Sequence, residues 1–362
     1  MIPTYNKIHN RFKLNSSSFL YEDLEEVAYS YVKEGLPFEK EIGDFLIDWL
    51  DDKDYVLAQT SGSTGKPKSI KLQKQAMVHS AIATGDFFNL QPGDTALHCL
   101  PSRYIAGKMM LVRAMILGLE LDITEPTSQP VFDYEQHYDF CAMVPLQLQK
   151  VKAYCNNIKT LIVGGAAVSS SLKEAIQGIK TNVFETYGMT ETITHIAVKK
   201  INNFKIETEC HAELVEASHF KTLPNIHISQ DERNCLVIEA PKLSETKIIT
   251  NDVVKLHSET SFEWLGRYDN VVNSGGVKLF PEQIEAKLES KMSTRFFITK
   301  EKEETLGECI ILVVESKSNT VDASVFSGLT KFEIPKKIYS VEKFIESANG
   351  KILRQQTLKS LK

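Results

Sequence analysis

Three short apolar runs, YVLAQ at 55–59, TLIV at 160–163 and NVFET at 182–186, each give way to a glycine-containing turn. Runs of this length, rich in β-branched and aromatic residues, read as strands. Behind the second, Leu172, Ala175, Ile176 and Ile179 return at helical spacing, after serines able to cap a helix. Buried strands alternating with helices predict α/β layers, in which ligands sit beyond the carboxyl ends of the strands. The loops that follow these runs are therefore where chemistry is expected.

Ahead of them, Leu24, Val27, Ala28 and Tyr31, then Ile42, Phe45, Leu46 and Trp49, mark two amphipathic helices split by Gly35 and Pro37. After GRYDN at 266–270 the pattern changes to short strands, a charged turn and a last helix beginning near Arg354. At 362 residues the chain is long for one core. We expect a large layered α/β N-terminal domain over 1–267 and a small mobile α+β C-terminal domain over 268–362.

A formal net charge of −5 provides no global attraction to nucleic acid or to an anionic membrane. The six cysteines show no zinc-site spacing and read as buried apolar residues of a reducing compartment. Neither a signal peptide nor a membrane span is expected, since the window MMLVRAMILGLELDI is short and broken by Arg113. These features point to a cytoplasmic protein acting on small molecules.

The run YVLAQ leads into TSGSTGKPK, residues 60–68. The nucleoside-triphosphate P-loop requires a serine or threonine after its lysine, and here Pro67 follows Lys66. Two readings stay open on these letters: a flexible linker, or a different phosphate cradle in which hydroxyls and backbone N–H groups meet phosphate oxygens and Lys66 adds charge. The segment resembles the phosphate loop of the AMP-forming adenylate superfamily, which includes acyl-CoA synthetases, peptide-synthetase adenylation domains and luciferases. That resemblance implies that Thr60, Ser61, Gly62, Ser63, Thr64, Gly65 and Lys66 hold the β- and γ-phosphates of ATP.

Further family-like motifs follow in order. YGMTE, Tyr187 to Glu191, resembles the signature in which the ring of Tyr187, followed by Gly188, lies on adenine, Thr190 touches the α-phosphate and Glu191 binds Mg²⁺. Gly164, Gly165 and Ala166 are similar to the adenine-side loop, although a plain strand-to-helix turn would use the same residues. Asp252 and Arg267 look like the ribose contacts; otherwise each is half of a salt bridge. In GRYDNVVNSGGVKLFPEQIE the resemblance implies a hinge at Asp269 and a thiol-tunnel loop at Gly275 and Gly276, with Pro281 starting a helix. Lys351 of NGKI matches the lysine that spans the reacting carboxylate and the α-phosphate.

The resemblance implies a two-step ligase: ATP and an acid give an acyl-adenylate and pyrophosphate, and a thiol, coenzyme A, then takes the acyl group. Within the superfamily, LPSRYIAGKMMLVRAMILGLEL and THIAVKKI are most similar to the o-succinylbenzoate-CoA ligases of menaquinone biosynthesis. An aryl carboxylic acid is thus the expected substrate, met by Arg103, Lys108, Thr194 and His195, with Lys108 reading equally as a lysine at a helix end. Another aryl- or acyl-CoA synthetase, a carrier-protein-loading enzyme and a non-catalytic nucleotide-binding relative are the alternatives. Residues 201–224 read as a charged surface insertion.

Overall fold

The computed structural model describes residues 3–59, 69–203, 219–346 and 352–361. Thr60 to Lys68, Lys351 and Cys210 lie outside the described residues.

The two N-terminal helices are α1, Leu24–Glu34, and α2, Pro37–Leu50. Pro37 opens α2 where its missing N–H is no loss, and the Glu39 carboxylate accepts from the Leu36 N–H at 2.7 Å. Their apolar faces carry Leu24, Phe45 and Trp49 into a core shared with α3, Lys74–Phe88, and α4, Ile105–Leu117. Residues 107–116 of α4 are all buried, as an all-round apolar helix requires. Gly118, at φ +75°, then stops the helix in the left-handed region.

Among the described residues the main sheet has thirteen strands. Its centre is parallel: Thr95–His98, Tyr138–Met143, Ile158–Val163 and Asn182–Gly188 lie side by side. Helices α5, Pro145–Val151, and α6, Ser170–Ala175, supply two of the crossovers. Ser169 caps α6, its hydroxyl accepting from the Leu172 N–H at 3.1 Å. From His195–Lys200 onward the sheet turns antiparallel and closes on Ser261–Arg267 and its neighbours. A separate sheet, of five strands among the described residues, begins at Val272–Ser274 and packs on α7, Pro281–Leu288, with α8, Arg354–Lys359, at the end. The chain is thus a large layered α/β unit followed by a small α+β unit.

Two expectations need correction. The YVLAQ strand forms but stands apart from the main layered sheet; it pairs antiparallel with Ser69–Gln73, Gln59 opposite Ser69, in a sheet of two described strands. Pairing with the segment immediately beyond the glycine-rich stretch brings both ends of that stretch together. The supposed insertion at 201–224 ends in sheet, because Phe220–Thr222 bonds to His195–Lys200 on one side and Ser261–Arg267 on the other. Its side chains alternate buried, exposed and buried, which fits a short strand with one face on the core.

Candidate active site

Strands Ile158–Val163 and Asn182–Gly188 end at the same edge of the sheet, and their loops meet there. Gly164 lies so close to Thr186 that a Cβ would stand 2.3 Å from its hydroxyl oxygen, and Gly165 has φ +84°. Only glycine serves at both positions without displacement. Ala166 follows, exposed. Behind this loop Glu185 is buried and accepts from the Val168 N–H at 3.0 Å. Burial would raise its pKa, but Lys199 and Lys173, at 3.1 and 3.0 Å, hold it below the usual carboxylate range. The loop is therefore tied to the strand that delivers Tyr187.

Tyr187 is the first site residue with a defined partner, its hydroxyl donating to Asp252 Oδ2 at 2.7 Å. Burial and the adjacent Asp252 carboxylate both push the phenol pKa up, so it remains a donor. Asp252 faces Arg267 across the strand pair, with Oδ1 3.6 Å from the guanidinium, and Arg267 in turn lies 3.5 Å from Asp269. Tyr187, Asp252, Arg267 and Asp269 thus form a continuous polar row. It runs from the central sheet to the start of the small unit.

The turn after Tyr187 is unusually constrained. A Cβ on Gly188 would meet the Thr194 carbonyl oxygen at 2.3 Å. Thr190 and Glu191 sit on a single 3₁₀ turn, Thr190–Thr192, with Glu191 exposed. Buried Thr192 accepts from the Met189 N–H at 3.0 Å, and its hydroxyl oxygen lies 2.9 and 2.8 Å from the Met189 and Thr194 carbonyls. Ile193 then takes φ +66°, ψ −60°, closed by a 2.7 Å bond from the Thr194 N–H to the Thr192 carbonyl. A γ-turn of this hand is rare and strained, most of all for a buried β-branched residue. Its effect is to reverse the chain between Glu191 and His195.

That reversal sets Thr194 and His195 against Arg113 of α4, which is 1% exposed. Arg113 reaches the Thr84 hydroxyl at 3.3 Å, the Thr194 hydroxyl at 3.5 Å, His195 Nδ1 at 3.4 Å and Met110 Sδ at 3.8 Å. None of these contacts is short, and among the described residues no carboxylate pairs with it. Burial lowers its pKa to about 9, so it remains cationic at neutral pH. Since arginine only donates, Nδ1 of His195 must accept, and the ring proton belongs on Nε2, which is buried without a partner. Burial and Arg113 keep that imidazole neutral, its pKa well below the ordinary value. A guanidinium, an imidazole N–H and a hydroxyl are therefore grouped with no anion among them.

Arg103 and Lys108 are turned elsewhere. Arg103 is exposed and pairs with Glu41 of α2 at 2.7 Å. Lys108 lies within α4, its ammonium 4.8 Å from the Phe45 ring centre; burial lowers its pKa, while Asp48, Asp44 and Glu41 oppose that. In the sequence Arg113 stands out only as an interruption of an apolar window. An arginine in the middle of the apolar run MMLVRAMIL is the signal that points to it.

In the small unit, Gly275 and Gly276 form the two-residue turn between Val272–Ser274 and Val277–Leu279, with φ +57° and +83°. Positive φ at both central positions is what a tight turn matched to strand twist demands. Asp269 is exposed in the 3₁₀ turn Tyr268–Asn270. Among the described residues His219, His257 and Glu263 approach metal-ligand spacing. The two imidazoles stack 3.4 Å apart at 14°, and near-parallel rings cannot aim both lone pairs at one ion. The Glu191 carboxylate has no partner among the described residues and suits a hard cation that keeps most of its waters.

A family model described as AMP-binding enzyme matches residues 20–220, more than half of the chain. The chain belongs to the AMP-binding enzyme family. Among solved structures, this AMP-binding enzyme is 33% identical to an acyl-CoA synthetase (AMP-forming)/AMP-acid ligase II-like protein of Dyadobacter fermentans, with a TM-score of 0.61 over 93% of this chain and 98% of that one. The o-succinylbenzoate CoA synthetase of Bacillus subtilis, solved with the acyl-adenylate OSB-AMP, shares the fold at 20% identity and a TM-score of 0.68, over 83% of this chain and 68% of that one. Curated relatives include the 2-succinylbenzoate–CoA ligase of Lactococcus lactis, 23% identical over 85% of this chain and 72% of its own length. That of a Geobacillus strain is 25% identical over 82% and 67%. No described helix is long and apolar enough to cross a membrane.

Proposed function

We propose that this enzyme activates a dicarboxylic aryl acid, o-succinylbenzoate, as its acyl-adenylate and passes the acyl group to coenzyme A. The observation that carries the substrate class is Arg113, a buried cation beside Thr194 and His195 without a described carboxylate partner. A second carboxylate on the acid would complete it, with the His195 Nε2–H as a further donor. The names of the similar ligases support the same acid.

In the first half-reaction the substrate carboxylate oxygen attacks the α-phosphorus and the bond to pyrophosphate breaks. Two anions must meet, so charge placement dominates the barrier. The Gly164–Ala166 loop and the Tyr187 ring take the adenine, while Asp252, held by Tyr187 and Arg267, accepts from the ribose hydroxyls. Residues 60–66 grip the outer phosphates, and Thr190 and Lys351 contact the α-phosphate. Glu191 would hold Mg²⁺, which offsets phosphate charge when bound. In the second half-reaction the thiol sulfur attacks the acyl carbon and AMP leaves. We place the domain boundary after Arg267 and the hinge at Asp269, so that Lys351 and the Gly275–Gly276 turn are exchanged at one site between the two steps.

The test is acid-dependent ATP–pyrophosphate exchange over a panel of mono- and dicarboxylic aryl acids, followed by coenzyme A against a carrier protein as acceptor. Exchange with o-succinylbenzoate, and its loss by about 100-fold in kcat/KM in Arg113→Met, is expected. Exchange with monocarboxylic acids alone would refute the diacid assignment, and no exchange with any acid would refute the enzyme reading.

A further inference from the structure

Val253 follows Asp252 on the strand Ile248–Ser258, so the two side chains point to opposite faces of the sheet. Asp252 meets Tyr187, whereas Val253 turns away into a small apolar cluster with Cys235 and Val271, against which Phe280 packs. Cys235 and Val253 come from the large sheet, Val271 and Phe280 from the stretch that opens the small unit. Val253, Val271 and Phe280 form the apolar side of a cavity of about 220 Å³.

The hairpin of the small unit dictates another wall. Between Val272–Ser274 and Val277–Leu279, Val272 stands opposite Leu279 and Asn273 opposite Lys278. Val272 and Leu279 are buried in the core of the small unit, so the alternate pair, Asn273 and Lys278, looks outward and lines the cavity. Arg233, on the large-unit side, donates to Asp231 Oδ2 and Asn251 Oδ1, both at 2.8 Å, and its guanidinium lies 5.2 Å from the centre of the Tyr268 ring. Lys300 donates to the Val271 carbonyl at 2.8 Å and lies 3.1 Å from Glu308, so part of its donor capacity remains. Asp231 and Glu308 thus oppose Arg233 and Lys300. Lys278 is exposed, and among the described residues no carboxylate pairs with it or lines the cavity.

An unopposed positive charge beside an apolar wall suits a ligand with one negative charge and an apolar body. The volume is below the roughly 300–1,000 Å³ of sites for drug-sized ligands, which restricts that body to a small one. We propose that this cavity binds a single-ring aryl carboxylate, its carboxylate meeting Lys278 and Lys300 and its ring lying on Val253, Val271 and Phe280. Because the walls come from both units, the occupant joins them and favours the arrangement in which they face each other. Arg113 and the Tyr187–Asp252 pair lie outside this cavity, which stands whether or not the ligase reading holds.

The experiment titrates the full-length protein with benzoate, benzamide and inorganic phosphate, following the small molecules by NMR and the backbone by hydrogen exchange. Benzoate should saturate with a Kd on the order of 1 mM, and benzamide and phosphate should bind about tenfold more weakly, one lacking the charge and the other the ring. Benzoate should slow exchange at residues 233–235 and 271–280 together. Lys278→Glu should weaken benzoate about tenfold, while Arg113→Met, altered at the acid site, should keep it within about twofold. Asn273→Trp, which retains the lysine but fills the cavity, covers the case in which the charge reversal disturbs the hairpin, and should abolish saturation. Benzamide or phosphate binding as tightly as benzoate would overturn the ligand class. Unchanged binding in Lys278→Glu or Asn273→Trp, or its loss in Arg113→Met, would put benzoate elsewhere, and protection on one unit alone would show that the occupant does not join the two. An absence of saturation in the wild-type protein would remove the site.

Discussion

At the level of single residues, the site depends on atoms that the motifs do not name. Thr192 is the clearest case, its one hydroxyl serving the Met189 N–H and lying against the Met189 and Thr194 carbonyls. Thr192→Val keeps the shape and strands those groups, so an unfolding free energy lower by about 1–3 kcal/mol is expected in denaturant titration. Because the same turn carries Glu191 and aims Thr194 at Arg113, exchange should fall by more than the stability change accounts for. Wild-type exchange in this variant would mean that the γ-turn at Ile193 is held by its other contacts. The letters YGMTE pointed to Tyr187, Thr190 and Glu191, and Thr194 and His195 followed by proximity. They did not expose the strain at Ile193, because a positive φ on isoleucine contradicts its own propensity. Nor did spacing reveal Arg113, whose partners come from α3 and from the end of the signature turn. A contact between residues 81 apart leaves no local periodicity to read.

Among the secondary-structure elements, α7 holds two carboxylates, Glu282 and Glu285, each engaged by a neighbour from another element. Glu285 is half-buried against Arg354 and the Ile298 strand, and desolvation there lifts its pKa from the ordinary 4.5 to about 7 despite Arg354 and the Ile298 N–H. A carboxyl raised in this way favours the folded state fully below pH 4.5, and that contribution is lost as pH rises through about 7. The difference amounts to about 3 kcal/mol at most. The melting temperature of the wild-type protein should therefore fall between roughly pH 5 and pH 7.5. Glu285→Gln should flatten that slope, and a slope unchanged by the substitution would place the titrating group elsewhere. The existence of α7 was legible from Pro281 and the pattern after it, as were α1, α2 and the strands before each glycine turn. Pairing partners were less so. A run such as YVLAQ has the same letters whether it lies in a parallel layer or in an antiparallel hairpin, and only the register of Gln59 with Ser69 decides.

For the molecule as a whole, the polar row from Tyr187 to Asp269 and the contacts of α7 on Trp264 and Gly266 join the large and small units at one corner. If Asp269 is the pivot, proline there should restrict rotation while preserving the seating seen here. Asp269→Pro is expected to keep ATP–pyrophosphate exchange within about threefold and to slow thioester formation by about 100-fold. Rapid single-turnover transfer to coenzyme A in that variant would rule out the pivot. The division of labour has a further consequence for Arg113. Its cation is enclosed, and no described carboxylate opposes it. A bound diacid would supply an opposing anion and so become part of what holds the large unit together. By mass action, a ligand at 100 times its Kd adds about 2.7 kcal/mol to folding. A monocarboxylic analogue, leaving the guanidinium unmatched, would add much less at equal concentration. Thermal denaturation would then sort acids by how well they complete the fold, before any turnover is measured.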